Sequence, residues 1–536
     1  MVIGSNPVVS ANYIGTLRKD KAWSYDRALF YYMEKEKDVE LNGRIKIFST
    51  DDNITADNVV ERVNEALAFH MINLRAEDYL FWYRRGIQPI LWRTKEVRPD
   101  ICNKVVINTA EQVCVFKDGY FLTKPAFYVS RRDDEDITDK VKELNEYLYV
   151  SGKNYVDNLT VDWFHTVGIA AIFVEPNDDD DVPYKVHSLD PRQSFVVYSM
   201  RPGNEPILGV NVVIANGELI IDAWTRDSKY TLRGGGVGSF DTPRIPYIAN
   251  AISVINVEPN VLGEIPIIEY IYKNNRMSAF EAAIPMMDTM NRVESNRIDG
   301  IEQFIQSLFV GVNIQLPEGE TANSIRERGM IIFDSVGENK AEIKLISQEL
   351  NQTQTQVTMD SLYEQILEKC GVPSTVGRDY GSTSDNVGAV YLRNGWAVAD
   401  TDARNATDNF LESNKLFDKI MLTILKRKKA DKFGKLKAND FELRIERNDM
   451  NNLLVKTQAA VNMRDLGLAP QIWLERSGLS NDPLKDIELS KEYMESVQPG
   501  MADPVMGGSG AESGGVVQEG QPKEGGAGEY VRGYWR

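Results

Sequence analysis

Residues 280–308 read FEAAIPMMDTMNRVESNRIDGIEQFIQSL. Met287, Met290, Ile298, Ile301, Ile305 and Leu308 recur at spacings that sum threes and fours, the period of one apolar helix face. One register over, Asp288, Arg292, Ser295, Asp299, Glu302 and Gln306 form a polar stripe along the same long helix. That stripe is expected to face water. Taken alone, the pattern would also suit the core helix of a compact domain, so the flanking elements decide the reading.

Downstream, Val310 to Leu316 and Gly329 to Ile346 read as a short strand-and-turn module. It is followed by a helix from about Thr355 to Lys369 with Leu362, Ile366 and Cys370 on one side. The order is helix, small β insert, helix. Gly371 and Pro373 stop the second helix, and Ser374 to Asp385 is a Gly/Ser/Thr/Asp loop. A long helical pattern then runs from about Val387 to Lys429, with Gly388 and Gly395 as expected bends. Phe441 to Ile445 reads as a strand, and Met450–Asp465, Ala469–Ser477 and Pro483–Val497 as a helical cluster. From Gln498 to Arg536 the chain carries 11 of its 39 glycines and few core formers, which predicts a disordered tail ending in Tyr530, Tyr534 and Trp535.

Upstream, Ala11 to Met71 is helical with a break at Asn42-Gly43, and Leu74 to Tyr83 is a further helix stopped by Gly86. Pro89–Arg93, Lys104–Ile107 and Tyr120–Val129 are β-branched or aromatic runs that predict strands. Helix returns over Asp139–Val150 and Val156–His165. A strand-rich block with hairpin order follows: Ala170–Glu175, Tyr184–Leu189, Phe195–Ser199, Val210–Ile214 and Leu219–Thr225. Asp178–Asp181 and Arg233–Ser239 read as solvent-facing loop tips.

With 536 residues the chain exceeds what one core usually serves and should divide into several domains. Its 79 acidic and 61 basic residues give a formal charge of -18, the opposite of a surface built to grip phosphates. Cys102, Cys114 and Cys370 form no CxxC pair and predict no disulfide framework. The N-terminal sequence has no basic region followed by an apolar run, and no apolar stretch approaches a membrane span, so neither a secretion signal nor a membrane anchor is expected. No phosphate-binding GxxxxGK[ST] loop occurs, which disfavours an ATP-driven motor. His70, His165 and His187 are dispersed, and Asp178–Asp181 lacks the alternating ligands, Gly and distal Glu of a calcium loop, so no metal or other cofactor is expected. The basic run Lys426–Lys429, with Lys432, Lys435 and Lys437, fits a helix C-terminus or a subunit contact better than a phosphate grip.

Several stretches, taken in order, resemble the portal proteins of long-tailed (siphovirus-type) bacteriophages. Tyr79 to Leu91 (YLFWYRRGIQPIL) is similar to that family's N-terminal signature, and Asn103–Asn108 and Gly119–Pro125 follow in the family's order. Leu189–Tyr198 (LDPRQSFVVY) resembles a wing strand and Gly263–Tyr270 (GEIPIIEY) the stretch before the first stem helix. Met463–Leu468, Trp473-Leu474 and Ser480–Pro483 are similar to the crown ending. The likeness covers roughly residues 75 to 495. One departure is Val387 before Gly388, where members often carry Ser, which blurs the end of the tunnel loop.

The resemblance implies an α+β portal fold: an α/β wing, a two-helix stem, a small β-containing clip and a helical crown. The implied divisions are wing 1–278, first stem helix 279–307, clip 308–350, second stem helix 351–371, tunnel loop 372–386, a long bent helix with a wing return strand 387–448, crown 449–497 and tail 498–536. It further implies a non-enzymatic subunit of a dodecameric ring at one capsid vertex, through which double-stranded DNA is packaged and ejected. The implied partners are further copies of the chain, a terminase packaging motor, a head-tail adaptor and the major capsid or scaffolding protein, with no membrane. The implied location is the virion, after assembly in the host cytoplasm. The tunnel loop would present Gly377, Arg378, Asp379, Tyr380, Gly381, Ser382, Thr383 and Ser384, and the stem stripe Asp288, Arg292, Ser295, Asp299, Glu302 and Gln306 is the candidate channel lining. A minor head or adaptor protein would share the acidic composition but has no evident use for a two-helix stem around a β insert. A carboxylate-pair hydrolase finds no supporting spacing.

Overall fold

The computed structural model describes residues 41–96, 98–132, 134–215, 218–235, 250–305, 308–312, 314–315, 334–335, 342–346, 352–374, 395–445, 453–480 and 483–497. Residues Met1–Met450 gather into one compact unit and Asn451–Arg536 into a second.

Alternation builds the largest sheet of the first unit. Leu208, Val210 and Val212, then Leu219, Ile221 and Ala223, then Tyr230 and Leu232 are buried at every second position, as a half-buried antiparallel sheet requires. Their strands are β5 (Ser194–Ser199), β6 (Pro206–Ala215), β7 (Glu218–Trp224), β8 (Ser228–Gly235) and β9 (Asn250–Pro259), paired in sequence. β1 (Ile47–Ser49) closes one end, parallel to β5. The helix Val59–Arg84 lays Val59, Val63, Ala66 and Leu67 on the apolar face, and burial of each of the Val and Leu side chains contributes about 1.5–3 kcal/mol.

A second sheet orders β10 (Ile267–Ile271), β3 (Ile169–Pro176) and β4 (Tyr184–Leu189). It packs into the main core with the helices Thr109–Phe121, Glu135–Val150, Lys153–Val167 and Trp396–Lys428. β2 (Phe127–Ser130) pairs with Phe441–Arg444, returning the chain across more than three hundred residues to the same core. The helices Ile284–Ile305 and Gln352–Lys369 flank two small pairs, Leu308–Val312 with Glu342–Ile346 and Ile314–Gln315 with Asp334–Ser335. The expected helix, β insert, helix order is therefore present. The second unit holds the helices Leu453–Asp465, Pro470–Ser477 and Pro483–Val497, at the predicted positions.

Several local expectations fail for identifiable reasons. The break at Asn42-Gly43 is followed by β1, and one continuous helix runs from Val59 to Arg84 where two were expected. Pro89–Trp92 is a 3-10 turn, opened by a proline at its first position. Tyr120–Val129 divides between the end of the helix Thr109–Phe121 and the strand Phe127–Ser130. Lys104–Ile107, expected as a strand, joins no sheet among the described residues. Arg233–Gly235 belongs to β8, and the rest of that expected loop tip lies outside the described residues. Asp178–Asp181 is the exposed tip between β3 and β4, as expected. The residues expected as a disordered tail lie outside the description.

Candidate functional site

The helix Ile284–Ile305 has a core-facing half and a polar half. Met287 and Met290 are the last residues along it to enter the main apolar core, with Val293 half-buried beside them. Beyond that point its fully buried side chains are polar: Ser295 is 0% exposed and Asp299 3%.

What covers them is residues 101–108. The backbone N–H of Ile107 donates to Asn291 Oδ1 (2.9 Å), that of Val105 to Ser295 Oγ (3.0 Å) and that of Asn103 to Asp299 Oδ1 (2.7 Å). The spacings explain the fit. Four helical residues rise about 6.0 Å and two extended residues about 6.6 Å, so acceptors at i, i+4 and i+8 meet alternate amides of a strand running the other way. Short polar side chains on a helix thus do what a neighbouring strand would do in a sheet, and this is why Lys104–Ile107 is extended without a strand partner.

Residues 88–95 supply the rest of the cover. Gln88 donates to Asn108 Oδ1 (3.1 Å) and accepts from Asn291, so the two covering arms are tied at their base. At the far end Asp299 receives Lys95 (2.8 Å) and Arg93 (3.1 Å), and Asn103 Nδ2 donates to both Asp299 and Glu302. Burial works against the Asp299 carboxylate, but the Lys95 ammonium and the Asn103 donors outweigh it and hold its pKa below the ordinary range. Asp288 accepts from the Tyr83 hydroxyl (2.9 Å), and there burial prevails and raises the carboxyl.

The stripe read from sequence is therefore split. Asp288, Ser295, Asp299 and Glu302 bond to the chain's own residues, and Ser295 and Asp299 are buried, which corrects for these two the expectation that the stripe faces water or a channel. Arg292 is exposed, with Asn296 one turn on, while Ile301, expected on the apolar face, is 41% exposed. Gln306 and the loop residues Gly377, Arg378, Asp379, Tyr380, Gly381, Ser382, Thr383 and Ser384 lie outside the described residues. Asn291, Asn103, Gln88, Arg93 and Lys95 were missed; the signal available was the i, i+4, i+8 run of short polar side chains at 291, 295 and 299.

The described chain on either side of that stretch is held in place; Gly395, expected as a bend within a helix from Val387, instead caps the start of a helix, and residues 387–394 lie outside the described residues. Gly371, at φ +68°, ends the helix Gln352–Lys369, and Gly395, at φ +79°, begins Trp396–Lys428. A Cβ on Gly395 would stand 3.8 Å from Cα of Pro373, so the chain leaves and returns at nearly one point. Beneath it Asp402 pairs with Lys117 and with Lys273 (2.9 Å) and accepts from the Tyr272 hydroxyl. Burial opposes the Asp402 charge, but the two ammonium groups and the hydroxyl pull its pKa far below the usual carboxylate value. Trp396 packs on Phe116 and Tyr120 alongside.

Three members of the basic run are engaged within the chain: Lys428 reaches the carbonyl of Asn177, Lys429 the Tyr147 hydroxyl (2.5 Å), and Lys432 pairs with Glu143. Among the described residues no group of His, Cys, Asp and Glu could hold a metal ion, and no helix is long and apolar enough to cross a membrane.

Residues 70–500 match the phage portal protein family, SPP1 Gp6-like, and the chain belongs to that family, which is structural and non-enzymatic. Among solved structures, a chain from the neck of an empty gene transfer agent particle is 12% identical, with a TM-score of 0.39, covering 69% of this chain and 89% of its own. A chain from the virion of a native gene transfer agent particle is 12% identical with a TM-score of 0.36 at the same coverage. No curated protein matches the sequence.

Proposed function

We propose that this chain assembles with further copies of itself into a closed, dodecameric ring at one capsid vertex of a virion. Double-stranded DNA passes through the ring during packaging and ejection. The observation that carries this reading is membership of the portal family over residues 70–500. The helix, β insert, helix order supports it: Ile284–Ile305 and Gln352–Lys369 serve as the stem and the strands between them as the clip. The ring would dock a terminase motor and a head-tail adaptor outside and contact capsid or scaffolding protein around its rim. Among the described members of the sequence-read stripe Arg292 is exposed and would be open to a channel, and residues 377–384 would form the tunnel loop. The acidic balance suits a wall that passes DNA without holding it, since each tight phosphate contact would add a barrier to sliding. Electron microscopy of the purified protein tests the reading: rings with a central hole are expected, and a monodisperse 60.5 kDa monomer under all salt conditions would overturn it.

A further inference from the structure

The outer half of the helix Ile284–Ile305 lacks the usual means of fixing a helix. After Met290 none of its described apolar residues is fully buried, and Ile301 is exposed. The helix Gln352–Lys369 runs beside it, with Met359 buried and a bond from Arg297 to Gln356 (2.9 Å) at the edge. One neighbouring helix leaves a helix free to roll and tilt about their shared line of contact. Among the described residues the remaining restraint is polar and lies on the flank formed by residues 88–95 and 101–108.

These two arms are organised as a strap. Their base is tied by Gln88 to Asn108, and Asn108 in turn donates to the Arg84 carbonyl (3.0 Å), at the end of the helix that covers the large sheet. Between base and tip, Arg93 donates to the Asn103 carbonyl (3.4 Å) and Lys95 to the Ile101 carbonyl (3.1 Å), holding the arms together. From Asn291 to Glu302 the strap follows the helix for about 16 Å. At its far end Arg93, Lys95 and Asn103 converge on one carboxylate.

We propose that the arms 88–95 and 101–108 are a strap that sets the tilt of the helix Ile284–Ile305 relative to the large sheet, and that Asp299 is the positioning residue on which it closes. The inference deepens the portal reading: in a ring the strap repeats in every subunit, and a common helix tilt gives the channel one bore. Asp299 supplies two things that separate substitutions distinguish. Its oxygens accept the Asn103 N–H groups, which an asparagine also does through its one oxygen, and its charge gathers Arg93 and Lys95, which an asparagine does not.

The test uses full-length protein carrying Asp299→Ala, Asp299→Asn or Asn103→Ala, read by amide hydrogen exchange and by electron microscopy of rings. In Asp299→Ala, exchange at residues 103, 105 and 107 should quicken on the order of tenfold to a hundredfold, the loss of bonds to a charged group, while strands β6 to β8 stay as protected as before. Asp299→Asn should restore part of that protection. Rings of Asp299→Ala should form with a blurred or widened stem and should package less DNA. Unchanged protection at 103–107 in both alanine variants would overturn the strap. Lost protection with an unaltered stem and normal packaging would overturn the positioning role. Should Asp299→Ala fail to fold, Asn103→Ala reads the same amides. If the unmodified protein forms no ring, the portal reading fails while the exchange result still judges the strap.

Discussion

Asp402 and Glu77 are both largely withdrawn from water in the same unit, yet their surroundings act on them in opposite directions. Asp402 lies between two ammonium groups and a hydroxyl and stays ionised. Glu77, on the helix Val59–Arg84, is 0% exposed, and neither of its carboxyl oxygens has a hydrogen-bond partner among the described residues. Burial raises its pKa to about 8; Arg44 and Arg192 oppose the rise, and Asp190 and Glu269 add to it. The contrast teaches that depth alone does not decide protonation. What decides is whether cations and donors come close enough to outweigh desolvation.

The sharpest way to break the comparison is to remove Asp402. Asp402→Ala strands Lys117 in a buried position and should destabilise the first unit by about 3–5 kcal/mol, measured by chemical denaturation. A loss under about 1 kcal/mol would mean that the ammonium finds water or another carboxylate. Acid is a gentler probe of the same node. The pKa values of Asp402 and Asp299 are depressed, so their stabilisation is fully present above the ordinary aspartate value of 3.8 and is lost only as pH falls below it. Melting temperature should therefore hold from pH 7 to pH 5 as far as these two groups are concerned.

Glu77 carries the opposite sign. Its folded pKa is raised, so its contribution is complete below 4.5 and is lost as pH rises through about 8. In Glu77→Gln that loss disappears. Between pH 5 and pH 9 the stability difference between variant and wild type should move in the variant's favour by on the order of 4 kcal/mol. Parallel curves would show that Glu77 has found a partner. The smallest effect should come from Lys104, which is exposed between two amides held by the helix. Lys104→Ala should change stability by less than about 0.5 kcal/mol and leave the strap closed, as judged by exchange at residues 103 and 105.

The same contrast explains what sequence could reveal. The strands from Ile169 to Trp224 were legible because each is a short apolar or alternating run set between Pro, Gly and Asp turns, a signal contained within a few residues. The helix, β insert, helix order was legible for the same reason, through the period of Met287, Met290 and their neighbours. Thr109–Phe121 was not, because its β-branched and aromatic content and Gly119 in its last turn mask the helical spacing of Val113, Cys114, Tyr120 and Phe121. The strap was invisible for a different reason. Asn103 and Asp299 are 196 residues apart, and nothing local to either says that a polar helix face will be met by backbone amides. A stripe of Asp, Ser and Glu reads as solvent-facing until its partners are known.

The near meeting of Pro373 and Gly395 has a consequence for how such a chain can change over time. When a segment departs and returns at one point, its length and composition are not constrained by the distance between the elements it joins. The stretch between these two residues can therefore be exchanged as a cassette. Loops of different size could be transplanted there while the helices on either side keep their places, and variation in what the loop touches need not be accompanied by variation in the frame that carries it.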